Sequence, residues 1–225
     1  MSIRFQLDRI PPGVEIGPHR HGVETLVYVA LGELVFEHGE GLERRVALGP
    51  GDVLYEAPAE FHLVRNEGSV DVLALLTSIE PDPRRPGALL RRWESDDEPV
   101  RHRGEARVVE NGPIRRRILV EPGDFGTASF SVLEVEIAPG AADAWHRHPI
   151  AEHALVVLEG RGEVTVGPVR ETLAPLTGIR IEAGLAHRIE NTGRTVLRYH
   201  VCGTPGTDPL VDRELVEPPV GRRNA

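Results

Sequence analysis

Short apolar-rich runs, many alternating with polar residues, recur along this chain and are cut by glycine, proline and asparagine. Side chains on a strand alternate between faces, so such runs predict strands with one face buried. Residues 24–31, 33–37, 53–56, 61–65 and 70–79 form one series; residues 128–137, 154–158, 163–166, 178–182, 186–190 and 196–202 form a second. Gly39-Glu40-Gly41, Gly49-Pro50-Gly51-Asp52, Glu67-Gly68-Ser69 and Asn191-Thr192-Gly193 mark turns between them. Strands this short, regularly spaced, predict an all-β sandwich or barrel. Only residues 86–96 offer a short helix.

The two series are copies of one another. Pro12-Gly13 is followed after five residues by His19-Arg20-His21, and Pro139-Gly140 after five residues by His146-Arg147-His148. Gly32 and Gly160 close the next runs, and His62 with Asn66 matches His187 with Asn191. The copies stand 125 to 128 residues apart. Solenoid and propeller repeats run only about 20–50 residues, so this spacing means two domains. Ten histidines in 225 residues yield about half an His-x-His by chance, so two with matched flanks mark a duplication. Histidines one residue apart on a strand point to the same face, and each copy therefore carries half of a metal site.

Composition removes several alternatives. A net charge of −9 argues against nucleic-acid and anionic-membrane partners, which need basic surfaces. No apolar run reaches the length of a membrane-spanning helix, and the first residues lack the pattern of a signal peptide, so a cytoplasmic location is expected. Cys202 is the single cysteine, which excludes an intrachain disulfide and a cysteine-based zinc site. All 26 basic residues are arginine, which excludes a lysine Schiff base and a Walker-A phosphate loop.

The quoted motifs resemble those of the cupin superfamily, whose first motif is Gly-(five)-His-x-His-(three or four)-Glu-(six)-Gly and whose second ends His-(three)-Asn. The matches are Gly13, His19, His21, Gly32, His62 and Asn66, then Gly140, His146, His148, Gly160, His187 and Asn191. The resemblance implies a bicupin: two tandem antiparallel jelly-roll-like β-barrels. The expected boundaries are 1–80 for the first barrel, 81–113 for a crossover linker, 114–205 for the second barrel and 206–225 for a tail. With only 18 residues before His19, the first barrel is expected to borrow strands from residues 106–120 or from a second subunit, and a homodimer is expected.

The family's glutamate is where the chain departs. Counting back seven from the closing glycine lands on Thr25 in the first copy and His153 in the second, with Glu24 and Glu152 one residue earlier. A one-residue shift turns a side chain to the opposite face, so Glu152 and His153 are alternatives unless a bulge intervenes. Register favours His146, His148, His153 and His187 as the second metal site, with Glu152 as the alternative to His153. His19, His21 and His62 form a sparser first site. The stretch from Glu152-His153 to Gly160-Arg161-Gly162 is also similar to ureidoglycine aminohydrolases, manganese bicupins with a ligand histidine here.

An all-imidazole set suits Fe, Mn, Ni, Zn or Cu over Mg and Ca, which prefer oxygen donors. The expected function is a metal-dependent reaction on a small organic molecule chelated in the C-terminal barrel, with oxygenase-type chemistry first and hydrolase or isomerase chemistry second. A non-catalytic metal- or metabolite-binding cupin is the competing class.

Overall fold

The computed structural model describes residues 2–80, 99–127 and 129–218. The helix expected at 86–96 lies outside the described residues. The chain divides into two compact units, Met1–Ala106 with Gly123–Thr127, and Arg107–Pro122 with Ala128–Ala225.

The first unit contains β1 (Ser2–Ile10), β2 (Glu15–His19), β3 (Thr25–Leu31), β4 (Leu34–His38), β5 (Arg44–Leu48), β6 (Val53–Glu56), β7 (His62–Arg65), β8 (Val72–Glu80) and β9 (Val100–Arg101). Its two sheets run β1-β8-β3-β6-β9 and β2-β7-β4-β5. The second unit contains β10 (Arg107–Asn111), β11 (Ile114–Val120), β12 (Ser131–Ile137), β13 (His146–Arg147), β14 (Glu152–Glu159), β15 (Gly162–Val166), β16 (Val169–Leu173), β17 (Gly178–Ile181), β18 (His187–Glu190), β19 (Leu197–Thr204) and β20 (Glu214–Leu215). Its sheets run β10-β11-β12-β19-β14-β17 and β16-β15-β18-β13-β20. The order β1-β8-β3-β6 recurs as β12-β19-β14-β17, all pairs antiparallel, so each unit is a two-sheet jelly roll and the duplication is structural.

Three strand assignments differ from those expected. The first ten residues form β1, which pairs along its whole length with β8, so the first barrel has its own opening strand. Residues 106–120 form β10 and β11, which extend the second barrel through β12. The first barrel takes no strand from residues 106–120, although β9, within the expected 81–113 linker, pairs with β6; no strand exchange is needed, and the missing-strand argument for a homodimer lapses. Within the described part of the tail, β20 pairs with β13, and Val216 N donates to Trp145 O at 3.0 Å.

Each core lies between its two sheets. Val27, Val29, Phe36, Leu54 and Val72 cluster in the first barrel; Leu155, Val157, Val164, Ile189 and Leu197 cluster in the second. Every such side chain removed from water contributes about 1.5–3 kcal/mol. Gly160 shows why a glycine closes the strand that follows the histidines. Its φ is +83°, and a Cβ there would sit 2.3 Å from Val196 O. Asn66 and Asn191 close the mirrored turns. Asn66 donates to Ile10 O and Val70 O, Asn191 to Ile137 O and Thr195 O, and both accept from the glycine two residues on.

Candidate metal centres

In each barrel the smaller sheet carries the histidines. His19 ends β2 and pairs with His62 at the start of β7; His146 opens β13 and pairs with His187 at the start of β18. His21 and His148 follow their partners by two residues and lie on the same side. The result is two clusters, His19–His21–His62 and His146–His148–His187, in each of which one ligand atom per residue lies within 4.8 Å of the others. Ring centroids within each cluster stand 4.2–5.6 Å apart.

Backbone carbonyls set the tautomers. The Nδ1 of His19 donates to Gly17 O (3.1 Å), His62 to Glu60 O (3.2 Å), His146 to Ala144 O (2.8 Å) and His187 to Leu185 O (2.9 Å). The Nδ1 of His148 donates to Asp212 O, in the tail. A ring that gives its Nδ1 proton to a carbonyl keeps the Nε2 lone pair for a cation. His62 Nε2 is buried with no hydrogen-bond partner, as a ligand atom awaiting an ion would be. Both histidine triads can hold a divalent metal ion.

The second site suits a cation electrostatically. Burial pushes His146 down to about 3 and His148 to about 4, and it also lowers His153 and His187. All four rings are therefore neutral near pH 7, with no protons to displace. Around them, Arg116 on β11 and Arg213 in the tail each bond Asp143 at 2.7 Å. Burial alone would raise the Asp143 carboxyl, but the two guanidinium groups outweigh it and hold it low. Of the arginines 115–117, Arg116 faces inward, while Arg117 approaches Glu134 on the opposite face.

His153 lies beside this trio. Its ring lies against that of His148, centroids 3.9 Å apart and planes tilted by 45°, and it lines the same cavity. Glu152 projects to the other side, where it pairs with Arg180 at 2.7 Å. The inward position belongs to residue 153, as the strand's alternation requires.

Residues the sequence reading passed over complete both sites. Asp212 supplies the carbonyl for His148, and its carboxylate accepts from Ile150 N and Ala151 N. In the first barrel Glu56, at the end of β6, is 3% exposed and lies against the trio, with Oε2 3.1 Å from His21 Nε2 and Oε1 3.4 Å from His62 Nε2. That carboxylate outweighs partial burial and raises His21. Glu56 stands six residues before His62 in the second motif, where motif spacing alone assigns no ligand.

The cavities differ in size. The first is about 440 Å³, lined by His19 and His21 beside the smaller sheet and by Arg4, Gln6, Ser78 and Glu56 from the larger. The second is about 50 Å³, crowded by Tyr199, Arg116 and Arg213.

A cupin domain model matches residues 6–78 and 133–203, and the chain therefore belongs to the cupin family. It carries two copies and is a bicupin. An oxalate-binding protein of Thermotoga maritima is 37% identical over 69 residues, which are 30% of this chain and 54% of that protein. The structure of Lactobacillus farciminis oxalate decarboxylase in complex with formate superposes with a TM-score of 0.76 at 14% identity, over 91% of this chain and 77% of that one. Bacillus subtilis oxalate decarboxylase, studied for its Mn(II) centres, gives 0.76 at 14% identity over 95% and 71%. Likeness at such identity establishes the shared fold. No helix among the described residues is long and apolar enough to cross a membrane.

Proposed function

We propose that this bicupin holds a divalent transition metal at each histidine triad and takes a small carboxylate at the first barrel, where turnover occurs. The observation that carries this is the first cavity, about 440 Å³, lined by His19 and His21 of the triad and by Arg4. A pocket of this kind suits an anion chelated at the metal and anchored by a guanidinium. The sequence favoured the C-terminal barrel for its richer set of imidazoles, but about 50 Å³ leaves little room for a substrate. The second site, with His146, His148 and His187 as ligands and His153 beside them, fits a more enclosed ion.

A bound divalent metal supplies Lewis acidity and, for a redox-active ion, a place for dioxygen. The protein's part is to present imidazole Nε2 atoms, hold the carboxylate through Arg4 and position it with Gln6 and Ser78. Carbon–carbon cleavage or oxidation of a small carboxylate such as oxalate suits this arrangement, with oxygenase-type chemistry one form of it and hydrolase or isomerase chemistry another. Binding without turnover is the second reading, favoured by the likeness to the oxalate-binding protein. The buried lone cysteine is compatible with a cytoplasmic setting.

The test is to load the full chain with Mn(II) or Fe(II) and supply oxalate, following oxygen uptake, carbon dioxide and formate, with calorimetry for binding. Turnover abolished by His19→Ala and retained in His146→Ala supports the first barrel. Heat of binding without products selects the second reading. Neither signal with oxalate or other small carboxylates overturns the proposal.

A further inference from the structure

Directly paired residues on antiparallel strands project to the same face of the sheet. In the first barrel one such row reads Arg4–Ser78–Thr25–Glu56, across β1, β8, β3 and β6. The equivalent row in the second barrel reads Ser131–Gly203–His153–Ile181, across β12, β19, β14 and β17. The rows are the same four places in a duplicated frame, and each runs past its histidine triad.

They are filled differently. In the second row the third place is an imidazole, His153, and the fourth is apolar, Ile181. In the first row the third place is Thr25, which is short and turns its hydroxyl to Ser78 Oγ at 3.1 Å. The fourth is Glu56. The polar group has moved one strand over.

Glu56 has the features of a ligand. It is 3% exposed and flanked by two imidazoles of the triad, 3.1 and 3.4 Å away. The nearer approach is an ion pair with His21, and His62 Nε2 is buried without a hydrogen-bond partner. A buried carboxylate needs a positive charge beside it, and a metal ion at the triad would supply that charge in place of a protonated His21.

We infer that Glu56 is the fourth ligand of a three-imidazole, one-carboxylate metal centre in the first barrel, supplied from β6 in place of the strand that bears Thr25. This rests on the proposed metal binding at His19, His21 and His62. The added oxygen donor and negative charge shift the first site toward harder ions such as Mn(II), while the second, all-imidazole site suits softer ones such as Zn(II) and Cu(II).

The test uses full-length protein carrying His146→Ala and His148→Ala, so that only the first site remains. Mn(II) binding is followed by the electron paramagnetic resonance signal of the free ion, and folding by thermal melting. Glu56→Gln, nearly isosteric, is expected to weaken Mn(II) binding at least tenfold and to change the bound-ion spectrum. Adding Thr25→Glu to Glu56→Gln returns a carboxylate to the same row and is expected to recover part of the affinity. Glu152→Gln, which removes a carboxylate outside the sites, leaves binding unchanged. Wild-type affinity and spectrum in Glu56→Gln overturn the inference and leave Glu56 as an ion-pair partner of His21. If His19→Ala with His21→Ala binds Mn(II) as well as its parent, the first-barrel metal site itself falls, and the inference with it.

Discussion

His153 and Gly203 pair across β14 and β19, and the ring of the first fills the space that a side chain on the second would occupy. A Cβ at Gly203 would lie 3.1 Å from His153 Nε2 and 2.8 Å from Ser131 Oγ. Gly203→Ser is therefore expected to destabilise the protein by about 1–3 kcal/mol through overpacking. His153→Thr combined with Gly203→Ser imports the Thr25–Ser78 pair of the first barrel and should recover most of that loss. Chemical denaturation of the two single variants and the double variant checks this; additive losses would refute the coupling.

The tail is part of the second site. Ending the chain after Pro205 removes the Asp212 carbonyl that holds His148 Nδ1 and the guanidinium of Arg213 from Asp143. Loss of an outer partner that orients a metal-bound imidazole typically costs about 10–100-fold in metal affinity. Zn(II) titration of the truncated chain should show this loss at the second site, with the first site intact.

Acid should destabilise the metal-free protein through its buried imidazoles. His200, like His148, is lowered to about 4 and His146 to about 3, in each case by burial first. The unfolded chain takes up these protons below about pH 6.5, whereas the folded chain resists them. Stability is thus complete above that pH and declines as pH falls toward 4, by up to about 1.4 kcal/mol per unit for each group. Denaturation midpoints of the apoprotein at pH 7.5, 6 and 5 measure the slope. His200→Gln, outside both metal sites, should make it shallower.

Arg4→Gln tests the substrate pocket without touching a triad. A charge-assisted hydrogen bond contributes about 1.5–3 kcal/mol, so oxalate binding to the Mn(II)-loaded protein should weaken roughly tenfold or more. Metal content should stay the same. Unchanged calorimetric affinity would remove Arg4 from the binding site.

Asn66→Ala and Asn191→Ala should each cost about 1–3 kcal/mol, because each truncation strands one buried carbonyl, with a half-buried carbonyl and glycine N–H beside it. Matching losses in thermal melts would establish that the two turns do equal work.

What could be read from the chain was what is local in it. The His-x-His pairs, the closing Gly32 and Gly160, and His153 over Glu152 all follow from strand alternation and spacing along one segment. β1 was missed for a physical reason: Arg4, Gln6 and Asp8 face the cavity. The strand thus inverts the usual pattern of apolar in and polar out. Glu56 was out of reach because its relation to the triad is set by register between β3 and β6, which no spacing along the chain records. The same holds for Asp212, which reaches His148 from 64 residues away.

Five of the six triad imidazoles are fastened by main-chain carbonyls rather than by one another. An arriving ion thus meets receptors already turned to receive it, and little chain motion has to precede its capture. Loading should then proceed in a single fast phase, set by diffusion and by the shedding of the ion's own waters, with exchange of one metal for another governed by release.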